Sequence, residues 1–181
     1  MAKSHGVNTK AVGEQLKQKL AADPRRFGRM DVFYDHGDSS KPEVCEPTTY
    51  MGRRYGADAT LSAVDIVIVK GKSVILAIEI EESTVRPITI IGDIFGIALA
   101  DRIRIQGRPY SIENATIIVA IADEGKGRRS EKYVRLERHL GRYFKANPSK
   151  AVKKVRIIPC PANDMVRRIE RLIRLETGKR T

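Results

Sequence analysis

The chain has 181 residues, 41% of them hydrophobic, with 34 Lys and Arg against 22 Asp and Glu and a formal net charge of +12. This length favours one domain over residues 1–181. The absence of an eighteen-residue apolar run or a signal-peptide core argues against a membrane segment and favours the cytoplasm. The basic excess attracts polyanions, so nucleic acid is the first candidate partner, with a merely basic surface as the alternative.

The N-terminal part predicts a helix followed by a short strand. The helix is expected from Asn8 or Thr9 to about Ala22, with an apolar stripe of Val12, Leu16 and Leu20. Met30 to Tyr34 predicts the strand. Residues 36–60 are rich in Gly, Pro, Ser and charge, so we expect a long surface excursion there, with room for one extra short strand.

Two arginines in this excursion stand between aromatic residues. Arg53 and Arg54 lie between Tyr50 and Tyr55. Arginine binds phosphate, and aromatic rings stack on bases or sugars, so this segment is a candidate nucleic-acid contact. An ordinary exposed loop is the alternative.

The middle of the chain predicts a hairpin and then a helix. Val64 to Val69 and Ser73 to Glu81 are β-branched runs joined by Lys70-Gly71-Lys72. Ile88 to Arg104 is apolar on nearly every side and predicts a buried helix. Its small residues, Gly92, Gly96 and Ala100, would let another backbone approach closely, and a homodimer through this helix or through an edge strand is left open.

The C-terminal half predicts two more strands and two amphipathic helices. Ala115 to Ala122 and Val155 to Ile158 predict the strands, and Ser130 to Lys145 and Asn163 to Glu176 predict the helices. Residues 177–181 are expected to fray. Each of these helices carries a basic stripe that could follow a phosphate backbone or be a solvated face: Lys132, Arg135, Arg138 and Arg142 on the first, and Arg167, Arg168, Arg171 and Arg174 on the second.

Three acidic residues are expected to meet on the hairpin. Side chains alternate along a strand, so Glu79 and Glu81 share one face. The hairpin places the start of one strand beside the end of the next, which brings Asp65 next to them. Such acids repel each other unless a cation balances them, and Mg²⁺ or Mn²⁺ prefers oxygen ligands. Pairing with Lys or Arg, or a solvated edge, is the alternative.

These residues resemble the PD-(D/E)xK nuclease superfamily. An Asp opens one strand in Ala63-Val64-Asp65-Ile66, an acid-x-acid follows in Glu79-Ile80-Glu81, and a helix comes next. The resemblance covers the order of elements from about Lys10 to Ile158. It implies an α/β fold of the restriction-endonuclease type: a central mixed sheet flanked by helices, with an α-β-β-β-α-β core and a C-terminal β-α extension.

The resemblance also implies a metal-dependent deoxyribonuclease of the restriction or repair type. Asp65 and Glu79 would be metal ligands, and Glu14 on the first helix would support the metal. Glu81 stands where the superfamily usually has a Lys, and would be a ligand or the general base. Lys70 and Lys72 lie too far from the acids to replace that Lys cleanly. The alternative is a nucleic-acid-binding protein on the same fold that has lost cleavage.

Overall fold

The structure, a computed structural model, describes residues 7–35, 47–52, 56–82, 86–122 and 128–177. The predicted nucleic-acid contacts Arg53 and Arg54 lie outside the described residues, as do residues 178–181 of the segment expected to fray.

The N-terminal elements agree with the prediction. Helix α1 is Val7–Ala22, a short helix α2 is Pro24–Phe27, and strand β1 is Asp31–Tyr34. The side chain of Asp23 accepts a hydrogen bond from the backbone N–H of Arg26 at 3.1 Å, which caps α2. The apolar stripe of α1 is buried against the sheet.

In the described residues of the excursion and at its end there are two short strands instead of one. Strand β2 is Thr48–Tyr50 and strand β3 is Thr60–Ala63, and the two pair antiparallel. The Thr49 hydroxyl donates to the Ser62 carbonyl at 2.9 Å, and the Ser62 N–H donates back to that hydroxyl at 2.9 Å. The buried Thr49 side chain is thereby satisfied and holds the pair together.

The predicted hairpin is present. Strand β4 is Ile66–Lys70 and strand β5 is Ser73–Glu81, paired antiparallel with Ile66 opposite Ile78. Gly71 makes the turn with a φ of +64°, a conformation that favours glycine. On its other side, β4 pairs with β1.

The prediction of one helix from Ile88 to Arg104 is wrong in its second half. Helix α3 is Pro87–Ala98, and strand β6 follows at Arg102–Ile105. In β6, arginines and isoleucines alternate, and Ile103 and Ile105 are buried against the sheet. This period of two fits a strand. The backbone of β6 pairs with β2 on one edge and with the strand beginning at Arg108 on the other, and this pairing stabilises the strand over the predicted helix.

Strand β7, Arg108–Ala122, is longer than the predicted Ala115 to Ala122 and joins two parts of the sheet. Its first residues form a hairpin with β6, whose turn residues Gln106 and Gly107 have φ values of 48° and 76°. Its second half pairs in parallel with strand β8, Val152–Cys160. Along its other edge, β7 pairs in parallel with β5.

Two helices complete the fold: α4, Arg128–Ala146, and α5, Met165–Thr177, preceded by a 3₁₀ turn at Ala162–Asp164. In the described residues the sheet has eight strands in the order β1-β4-β5-β7-β6-β2-β3, with β8 beside β7. One face packs against α3 and α4, the other against α1 and α5. The class is therefore α/β with a mixed sheet flanked by helices. No helix among the described residues is long and apolar enough to cross a membrane.

Candidate metal centre

The alternation predicted for β5 holds. Ile78 and Ile80 belong to the core on the α1 and α5 side of the sheet. Ala77 belongs to the core on the α3 and α4 side, so Glu79 and Glu81 point to that side. The strand is buried except at its ends, because β4 and β7 pair with it on both edges. The two carboxylates therefore enter an apolar environment.

Asp65 lies immediately before β4 and meets the same end of β5. Since Ile66 is opposite Ile78, Asp65 falls opposite Glu79 on the same face of the sheet. Its Oδ2 atom accepts a hydrogen bond from the backbone N–H of Ile80 at 2.7 Å. Its backbone carbonyl accepts a hydrogen bond from the N–H of Asp35 at 2.8 Å. Asp65 is held in place from both neighbouring strands.

A fourth acid, Asp93 of α3, joins the group and was missed in the sequence. Its charge raises the pKa of Asp65, Glu79 and Glu81, and it is hydrogen-bonded to Glu81. Asp93 is the only charged residue of α3, a helix that is otherwise apolar apart from Thr89 and Gly. This single charge was the signal that the sequence offered for Asp93, because a charged residue is uncommon in an apolar helix packed on a sheet unless it has a partner or a function.

Burial makes all four carboxyls hard to ionise, and repulsion from neighbouring acids adds to this at Asp65, Glu79 and Glu81. Burial is the largest cause at each of them. It raises the pKa of Asp65 to about 6 and that of Glu81 to about 7. The pKa of Glu79 lies well above its ordinary value, and the pKa of Asp93 is also raised. A group of this kind favours a cation over a set of free anions.

Glu79 has the least satisfied carboxyl of the four. Its side chain is 8% exposed, and its Oε1 atom is buried without a hydrogen-bond partner. Among the described residues, no Lys or Arg forms an ion pair with any of the four carboxyls. The alternative that these acids are neutralised by Lys or Arg therefore has no support within the described ranges.

This donor set fits a hard divalent cation. Carboxylate oxygens are the ligands of Mg²⁺ and Mn²⁺, and the buried Oε1 of Glu79 is an acceptor in need of a positive partner. Within the described ranges, however, no group of three or more His, Cys, Asp or Glu is already arranged to hold a metal ion. The carboxyls are near neighbours that repel each other, and side-chain rotation would be needed for their oxygens to share one ion.

Glu14, the acid on α1 that was predicted to support the metal, is not among the acids that act on Asp65. Glu14 is exposed on α1, and the further acids whose charges act on Asp65 are Asp35, Asp93 and Glu82. Glu82 also accepts a hydrogen bond from the backbone N–H of Asn8 at 3.0 Å, which ties the start of α1 to the end of β5. A role for Glu14 stays a prediction.

Helix α4, which carries the basic stripe, follows β7 in the chain, and β7 ends beside the acidic end of β5. Glu81 pairs with Ile121, close to the end of β7, and α4 starts six residues after Ala122. The Lys132 ammonium lies 4.6 Å from the centroid of the Tyr133 ring, and Arg135 forms an ion pair with Glu131 at 2.6 Å. Arg138 and Arg142 are exposed.

Comparisons of this chain with protein-family models, with curated proteins and with solved structures found no match.

Proposed function

We propose that this protein is a metal-dependent nuclease that hydrolyses phosphodiester bonds in DNA. The observation that carries the proposal is the buried, unpartnered Oε1 of Glu79, on the same face as Asp65 and Glu81 and in the field of Asp93. A group of four acids, one buried and three partly buried, without a described counter-charge is costly unless it has a cation to bind.

Asp65, Glu79 and Asp93 are the residues that would hold Mg²⁺ or Mn²⁺. When bound, such an ion stabilises negative charge on a phosphate and makes water more acidic. Glu81 is only half-buried and its pKa is about 7, so its carboxylate can accept a proton from an attacking water near neutral pH. The hydrogen bond of Asp65 to Ile80 would keep one ligand in position.

The order of elements supports the restriction-endonuclease-like version of the fold. Helix α1, strands β1, β4 and β5, helix α3 and strand β7 follow the expected α-β-β-β-α-β order, and α4, β8 and α5 extend it. The strands β2, β3 and β6 are additions to that core. The acids lie at the end of β5, before α3, as the resemblance implies.

The phosphate-binding side of the proposal rests on the basic stripe of α4, the helix that follows β7 in the chain. Lys132, Arg135, Arg138 and Arg142 are the predicted contacts, and Arg53 and Arg54 remain predicted contacts from the sequence alone. A homodimer also stays a prediction. Within the chain, the close approach at Gly96 is to Ser62 of β3, while Gly92 is exposed.

The second candidate function is a nucleic-acid-binding protein without cleavage. It is favoured by one observation: Glu81 stands in the place of the usual Lys, and Lys70 and Lys72 are at the opposite end of the hairpin. Lys72 and Glu79 are seven residue steps apart along an extended strand, about 23 Å at 3.3 Å per step. No lysine of this hairpin can replace the missing one.

Cleavage assays on several DNA forms test the proposal. Supercoiled, linear, single-stranded and branched DNA are incubated with Mn²⁺ or with chelator, using wild type, Glu79→Ala and Glu113→Ala. Glu113 is an exposed acid paired with Lys150, far from the acids in the fold, and serves as the matched control. We expect Mn²⁺-dependent cleavage by wild type and the control, and none by Glu79→Ala. Salt-sensitive binding without cleavage by any of them favours the second candidate.

A further inference from the structure

A further basic surface lies along the edge strand β8; it shares Arg138 with the α4 stripe and is otherwise separate from that stripe and from the acidic group. On the α4 side of β8, a groove of about 560 Å³ is lined by five cations and one acid. On the α5 side, a groove of about 750 Å³ is lined by four arginines and one acid. The cations of the two grooves are Arg138, Lys145, Lys153, Lys154 and Arg156, and Arg167, Arg168, Arg171 and Arg174.

The acids near these grooves are too few to neutralise the cations. Glu176 is shared by Lys153 and Lys154, Asp164 by Arg167 and Arg168, and Glu170 by Lys19 and Arg174. Each of these acids carries one negative charge against the two cations that share it, so the surface keeps a net positive charge.

Two arginines, one on each side of β8, have no ion-pair partner among the described residues. Arg138 lies on α4 and Arg171 on α5, and both are exposed. The helices pack on opposite faces of the sheet, so the two guanidinium groups border β8 from both sides. Arg156 between them pairs with Glu137 at 2.8 Å but has a buried Nε without a hydrogen-bond partner.

An edge strand often recruits another strand, but the charges oppose that here. The free edge of β8 would meet the same excess of cations on a second copy of this chain, and like charges facing each other are unfavourable. The α4 helix also closes part of the edge, because Glu137 accepts a hydrogen bond from the backbone N–H of Ile157 at 2.7 Å. A polyanion is the partner that suits this surface.

We propose that the β8 surface binds the phosphate backbone of a nucleic acid, apart from the metal centre. The two grooves, lined by Arg and Lys on either side of β8, suit a row of phosphates, to which Arg can bind in bidentate geometry. Glu79 pairs with Val119, which pairs with Ile157, so β8 runs about 10 Å from Glu79, two strand spacings away. One nucleic acid can therefore contact both places. The inference extends the proposed function, because this surface would hold the DNA flanking the cleaved bond.

Binding in chelator tests this surface without relying on cleavage. The affinity for a fluorescein-labelled DNA duplex is measured over a salt series by anisotropy for wild type, Arg138→Gln/Arg171→Gln and Lys70→Gln/Lys72→Gln. The last variant removes the same charge from the exposed hairpin at the far end of the sheet. We expect the arginine variant to lose affinity about tenfold and to lower the salt slope by about 2, with the melting temperature unchanged. The lysine variant should change affinity less than about twofold.

The outcomes separate this inference from the proposed function. Equal losses in both variants, or no loss in the arginine variant, overturn the β8 surface. Preferential binding of wild type to phosphatidylserine vesicles, lost in the arginine variant while DNA binding is kept, also overturns it. If the arginine variant loses DNA binding and wild type does not cleave DNA in Mn²⁺, the result supports nucleic-acid binding by the β8 surface and overturns only the proposed nuclease activity.

Discussion

The carboxylate of Asp65 accepts a hydrogen bond from the backbone N–H of Ile80, with 2.7 Å between Oδ2 and N. Ile80 stands between the two glutamates of β5, so this bond ties the entry of β4 to the residues that carry the acids. It also lowers the pKa of Asp65, against a larger increase from burial. Asp65 therefore has both a structural and a proposed metal-binding role, and the two roles can be separated by substitution.

Asp65→Asn should abolish cleavage and leave the fold intact. The amide oxygen of Asn can still accept the N–H of Ile80, but the side chain no longer carries a charge for a cation. We expect DNA cleavage in Mn²⁺ to fall about a hundredfold or more. The melting temperature in chelator should stay at or above that of wild type. Asp65→Ala, which cannot accept the hydrogen bond, should melt lower than Asp65→Asn, and equal melting temperatures would argue against the structural role of the bond.

Glu79→Gln should stabilise the protein in chelator and remove its activity. The change replaces a buried carboxyl that has no ion-pair partner among the described residues and must either stay ionised there or take up a proton on folding. The free energy of unfolding should rise by roughly 1 kcal/mol or more, a gain of about 2–4 °C in melting temperature for a chain of this size. Thermal unfolding in chelator at neutral pH measures the gain. A decrease would mean that a counter-charge pairs with Glu79 and that the acids need no cation.

The stability of the metal-free protein should fall as the pH rises from about 4 to about 8. The pKa of Glu81 is raised from 4.5 to about 7 and that of Asp65 from 3.8 to about 6 in the folded protein. The unfolded chain therefore releases these protons at lower pH than the folded chain, and ionisation favours unfolding through this window. Melting temperatures in chelator across the window should decrease less steeply for Glu81→Gln than for wild type.

Mn²⁺ should oppose this loss. Because it binds the ionised carboxylates, the increase in melting temperature that it causes should be larger at pH 8 than at pH 5. The same measurement on Glu79→Gln should show a much smaller increase at both pH values. An equal Mn²⁺ effect in wild type and Glu79→Gln would place the ion elsewhere.

Two glycines of α3 should respond in opposite directions to alanine. A Cβ at Gly96 would lie 2.7 Å from Oγ and 2.9 Å from Cβ of Ser62, so Gly96→Ala should destabilise the fold by about 1–3 kcal/mol. At Gly92, an exposed position of α3, a Cβ meets nothing within 4 Å, and Gly92→Ala should stabilise the helix by about 0.5–1 kcal/mol. Chemical unfolding of both variants checks the pair. If Gly92→Ala were the more damaging change, Gly92 would belong to an interface.

The local order of the chain was well predicted where a segment's own pattern decides its structure. The apolar stripe of α1, the turn at Gly71 and the two strands around it are encoded within a few residues of each other. The boundary between α3 and β6 was not, because Ile103 and Ile105 are apolar in either conformation. Strand β6 exists because β2 and β7 supply hydrogen-bond partners on both edges, and both lie elsewhere in the chain.

The sequence by itself determined that Glu79 and Glu81 share a face, because side chains alternate along a strand, and the short hairpin predicted Asp65 beside them. The register shift between Ile68 and Val69 in this hairpin places Asp65 opposite Glu79 rather than Ile78, and local periodicity does not specify it. Only the tertiary structure decided that Asp93 joins them and that the cations of α4, β8 and α5 border a single edge strand. Those groups are distant in the chain and meet through the packing of helices on the sheet. Packing of this kind depends on the whole core and cannot be read from local periodicity.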